Sequence, residues 1–155
     1  MKLALGLFLA LASAPEGEGI SVRLTVGNFY KTPDGTFWSS GSWELIQDKN
    51  AGTVAVRVVL EPQAKGAARR DRKGTMSAEE FEKAFADWKK KGLFETTNSQ
   101  PCLCDAPQFT MTAKEGKAEH RFRFEHAHAH DKEQKALVDA VITLAEKHAT
   151  EPAGK

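Results

Sequence analysis

The strongest constraint on this fold is a repeat of two. Ile20, Val22, Leu24 and Val26 alternate with Ser21, Arg23 and Thr25, and Val54, Val56, Val58 and Leu60 repeat the pattern. On an extended chain successive side chains point to opposite faces, so each stretch is a strand with one face to bury. Between them, Phe37-Trp38 and Trp43-Glu44-Leu45-Ile46 read as a further strand, broken at Ser39-Ser40-Gly41 where a bulge fits. Thr32-Pro33-Asp34-Gly35 and the polar run 48–52 supply the turns. Residues 62–76 carry no apolar period and read as a loop containing Lys65, Arg69, Arg70, Arg72 and Lys73.

The period then changes. Ser77 and Glu80 have the spacing of a capping box, and Met76 and Phe81 that of a hydrophobic staple. Phe81, Phe85 and Trp88 fall on one face of the helix that follows, and Gly92 ends it. Phe109 and Met111 mark a fourth strand, and His120, Phe122 and Phe124 the inner face of a fifth. Asp131 caps a second helix whose buried stripe is Leu137, Val141 and Leu144. The reading is a single α+β domain over residues 20–148: an antiparallel sheet of about five strands with two amphipathic helices, in the order β-β-β-α-β-β-α. Residues 149–155 read as a frayed polar tail.

Residues 1–14 read as a signal peptide. Lys2 precedes an uncharged apolar run over 3–12, and Ala10-Leu11-Ala12 and Ala12-Ser13-Ala14 offer small-residue cleavage patterns, the first favoured because Pro15 follows the second. The run is too short for a permanent anchor, and nothing later is apolar enough to span a membrane. The expected location is therefore periplasmic or secreted. Of the 22 Lys and Arg, only Lys2 lies in the leader; without it 21 bases face 21 acids. A neutral chain has no general attraction for nucleic acid or anionic lipid.

The chemically suggestive cluster is histidine. His126, His128 and His130 alternate with alanines, and same-face neighbours on a strand stand ~7 Å apart, close enough to share a metal. Pairing Lys114 with Lys117 across a Glu115-Gly116 loop puts Phe109 opposite Phe122 and Met111 opposite His120. Extended outward, it sets Asp105 opposite His126 and turns Cys102 and Cys104 to the other face. Asp105, His126, His128 and His130 are thus the candidate ligands for Zn²⁺, Ni²⁺ or Cu²⁺, against the plainer reading of a solvated or helix-capping histidine run. The cysteines are compatible with a strained disulfide, free thiols or a metal-bound pair. Arg69-Arg70 could be presented to a trypsin-like protease, and Tyr30, Trp38 and Trp43 could line a binding face, although solvated loop and core are the simpler assignments. The chain contains no P-loop, Gly-x-Ser-x-Gly elbow or His-Glu-x-x-His helix. The inferred register parts the thiols from the histidines and leaves no evident Cys-His nucleophile, so no catalytic residues are expected.

Phe85-x-x-Trp88, Gly92-Leu93-Phe94, Asp105-Ala106-Pro107, the 109–124 hairpin and the closing helix occur in an order and spacing similar to emfourin-type small bacterial proteins. These inhibit thermolysin-like metallopeptidases. The resemblance covers residues 77–148. It implies a non-enzymatic exported protein without a cofactor, whose partner is a protein, a peptidase in particular. The first half departs from the pattern, so no inhibitory residue is carried over. The alternative is an exported metal-binding protein using the histidine run.

Overall fold

The computed structural model describes residues 19–32, 34–98, 106–125 and 132–153. The alternating stretches become β1 (Ile20–Lys31), β2 (Phe37–Asp48) and β3 (Thr53–Pro62), followed by β4 (Arg70–Ser77). Then come α1 (Ala78–Lys90), the hairpin β5 (Gln108–Glu115) and β6 (Ala118–Glu125), α2 (Lys132–His148) and the two-residue β7 (Glu151–Pro152). All seven strands form one antiparallel sheet in the order β6-β5-β1-β2-β3-β4-β7. The first four strands run as a meander. The chain then crosses with α1 to add β5 and β6 beside β1, and returns with α2 to close the far edge with β7.

One sheet face is apolar. Val22, Leu24, Trp43, Leu45, Val54, Val58, Phe109 and Phe122 are among its fully buried side chains. Both helices cover this face, α1 over β3 and β4 and α2 across β1 to β4. Phe81, Phe85 and Trp88 point inward from α1, and Leu137, Val138, Val141 and Ala145 from α2. The Trp43 indole N–H is satisfied from above, donating to Glu146 Oε1 at 3.2 Å.

The expected five strands in the order β-β-β-α-β-β-α are corrected to seven among the described residues, in the order β-β-β-β-α-β-β-α-β. The α+β class stands, but the protein is richer in sheet. β4 lies inside the stretch read as a loop, and β7 inside the tail expected to fray, where it pairs with Arg72 and Lys73. The capping box also closes only halfway. Glu80 N–H donates to Ser77 Oγ at 3.2 Å, but the Glu80 carboxylate turns to α2 and accepts from Lys147 and His148. At the other end of α1, Gly92 adopts φ 88°, Gly92 N–H reaches Lys89 O, and Leu93 N–H reaches Trp88 O. This is a Schellman stop with Leu93 buried beneath it.

The β5–β6 register is shifted by two from expectation. The loop is Gly116-Lys117, so Phe109 faces Phe124, Met111 faces Phe122, and Ala113 faces His120. A shift of two keeps every side chain on its expected face.

Candidate functional site

The candidate site sits where the β1–β2 hairpin ends against the 63–69 loop. Thr36, Phe37, Trp38, Pro62, Ala64 and Ala67 line most of an open cleft of about 620 Å³. The hairpin tip is held by side chains rather than left loose. The Thr32 hydroxyl and Thr36 N–H both donate to Asp34 Oδ1, and Arg70 reaches Asp34 Oδ2 at 3.4 Å. The Thr32 hydroxyl contact above all, then Thr36 and Arg70, hold the Asp34 carboxyl well below the usual carboxylate range. The Arg70 guanidinium also lies 4.9 Å above the Trp38 ring.

Adjacent aromatics on β2 have opposite fates. Trp38 turns toward the core, only 6% exposed, and its Nε1 has no hydrogen-bond partner among the described residues. Phe37 turns outward and is 53% exposed, with Lys31 Nζ 5.2 Å above its ring. The result is a large apolar side chain fixed on a strand beside an apolar cleft and flanked by cations. It can bind a side chain or an extended segment of another molecule. The polar residues lining the cleft are Thr36 and Gln63.

The sequence-derived metal candidates Asp105, His126, His128 and His130, with Cys102 and Cys104, lie outside the described residues. Among the described residues no group of three His, Cys, Asp or Glu side chains is arranged to hold a metal. The fifth histidine of the chain, His148, contacts Glu80, and His120 Nε2 contacts Thr96 O at 2.7 Å. Arg69 precedes β4 and Arg70 begins it. Arg69 is paired with Glu61 and Asp71, and Arg70 with Asp34. Of the three aromatics proposed for a binding face, Trp43 is core and Tyr30 packs edge-on against it at 5.3 Å, while Trp38 lines the cleft.

Sequence reasoning missed Phe37 as an exposed group and Arg70 as its structural neighbour's support. The available signal was the Thr-Pro-Asp-Gly turn, which places Phe37 two residues beyond a tight hairpin. No helix among the described residues is long and apolar enough to cross a membrane. No protein-family model matches the chain, and no curated protein matches it in sequence.

Proposed function

We propose that this is an exported, non-enzymatic binding protein that engages an extracellular or periplasmic peptidase and inhibits it, with Phe37 as the central anchor. The observation that carries the reading is Phe37 itself, half exposed on β2 beside an apolar cleft. Aromatic side chains held in one rotamer dominate protein interfaces, because they bury much area at small entropic cost. The layout of residues 77–148 adds the peptidase to the reading through its resemblance to emfourin-type inhibitors.

The test is an inhibition assay with the purified protein against a thermolysin-like zinc peptidase, with a subtilisin-like serine peptidase in parallel. Inhibition of the zinc enzyme is expected. Phe37→Ser should weaken it ~30-fold, the effect of losing an anchor worth about 2 kcal/mol. Absence of inhibition, or equal inhibition by Phe37→Ser, refutes the reading.

A further inference from the structure

Both helices cover one face of the sheet, and the opposite face carries a second pattern. Strand register lines up Arg121, Thr112, Arg23, Glu44, Arg57 and Lys73 in one row across the sheet. The next row is Arg123, Thr110, Thr25, Ser42, Val59 and Asp71. Most of these charges neutralise one another. Arg23 pairs with Glu44 at 2.9 Å and Arg57 with Asp71 at 2.9 Å, and in the adjoining row Lys114 pairs with Glu119 at 2.8 Å. Arg121 and Arg123 are exposed and have no ion-pair partner among the described residues.

Geometry narrows what these two guanidinium groups can take. Their residues are two apart on one strand face, so the backbone positions are ~7 Å apart, with Thr110 and Thr112 as their partners on β5. An extended polypeptide repeats its own same-face side chains at that same interval. Aspartate or glutamate at alternate positions would meet Arg121 and Arg123 in turn, each through a forked, charge-assisted contact. A uniform polyanion gains less from the rest of the face, where Glu44 and Glu119 already engage Arg23 and Lys114. Ile46, 46% exposed on that face, also offers apolar contact that a protein can use.

We infer that the β5–β6 sector of the sheet face opposite the helices docks an extended acidic segment of a protein partner, with carboxylates at alternate positions. The surface shares no residue with the Phe37 cleft, so its test is independent of peptidase inhibition.

The probe is a labelled eight-residue peptide of alternating Glu and Thr, followed by fluorescence anisotropy against the purified protein. Saturable binding below 1 mM is expected, weakening with added salt. Arg121→Ser with Arg123→Ser should weaken it about tenfold, the sum expected of two partly exposed ion pairs. Arg57→Ser with Lys73→Ser makes the same charge change elsewhere on the face and should alter affinity less than twofold. Circular dichroism confirms that each double variant is folded. The inference fails if the alternating peptide does not saturate, or if both double variants lose affinity equally. It also fails if a sulfated oligosaccharide of equal charge binds more tightly than the peptide at the same arginines.

Discussion

Gly74 tests how the C-terminal end of α2 is seated. It lies on the inward side of β4, opposite Val56, directly beneath the end of α2. A Cβ at this position would stand 1.8 Å from the His148 carbonyl oxygen and 2.8 Å from its carbon. Relief to a tolerable 3.0 Å requires the two backbones to part by about 1.2 Å. No side chain can rotate out of the way, and the segment above is tied down: Ala149 is fully buried, and β7 pairs with Arg72 and Lys73 just beyond it. Gly74→Ala should therefore cost about 3 kcal/mol, the upper end of ordinary overpacking. With a urea slope of about 1–3 kcal/mol/M, the unfolding midpoint should fall by ~1–3 M. Two other glycines calibrate the result. At Gly41 the obstacles are Leu60 Cδ2 at 2.7 Å and the Trp43 ring at 3.0 Å, side chains with some room to adjust, so Ala should cost about 1–2 kcal/mol. At Gly27 nothing lies within 4 Å, and Ala should be neutral or stabilising by up to ~1 kcal/mol. A Gly74→Ala midpoint equal to wild type, or a larger loss at Gly27 than at Gly74, would refute this seating.

Two pH predictions follow from other contacts. Tyr30 is the single tyrosine of the chain, and burial first, then the Glu146, Asp139 and Asp34 carboxylates, push its phenol up from 10.0 to about 12. Its phenolate absorbance should be missing at pH 10.5 and emerge only near pH 12 or on unfolding. Because the folded value is raised, the associated stability is intact below pH 10 and is lost between 10 and 12; a phenol titrating at 10 in the native protein contradicts the packing. Glu80 behaves oppositely: Lys147 first, then His148, hold its carboxyl below 4.5. Its contribution is present above the unfolded value and is lost as pH falls through the depressed folded one. Glu80→Gln should lower the denaturation midpoint at pH 7 and converge with wild type at the acid end. A gap that persists unchanged at low pH would show that Glu80 acts otherwise.

What was legible in the sequence, and what was not, has a physical pattern. The inward faces of β1, β3, β5 and α1 were readable because they are built mainly from Val, Leu, Phe and Trp at regular spacing. On α2, Leu137 and Val141 are buried as expected, but Val138 and Ala145 complete the stripe and Leu144 is only partly buried. β4 was not readable, because its inward positions are Arg70, Arg72, Gly74 and Met76, and only the last is apolar. That strand is covered differently. Arg70 spreads over Trp38, and Gly74 admits another stretch of backbone, so neither advertises burial in its side chain. β7 is two residues long and ends in proline, too short to carry any period. The β5–β6 hairpin illustrates a finer limit. Moving the loop from Glu115-Gly116 to Gly116-Lys117 changes every partner but no face, and a period of two cannot distinguish registers that differ by two.

The candidate site was hidden by the same parity argument working in the opposite direction. Trp38 and Trp43 are five residues apart, so on a regular strand they would occupy opposite faces, and one would have to be exposed. Both are buried. The conflict is resolved at Ser39, where β2 carries one extra residue relative to β3 and the register slips between Trp38 and Ser40. The extra residue brings Trp38 onto the core side and forces its neighbour Phe37 outward. The irregularity at Ser39-Ser40-Gly41 was visible in the sequence, but its consequence depends on which strand gains the residue. β1 makes a matching slip between Gly27 and Tyr30, which keeps Tyr30 opposite Trp38. The exposed phenylalanine is thus the geometric consequence of paired irregularities that bury Trp38 and seat the partly buried Tyr30 opposite it.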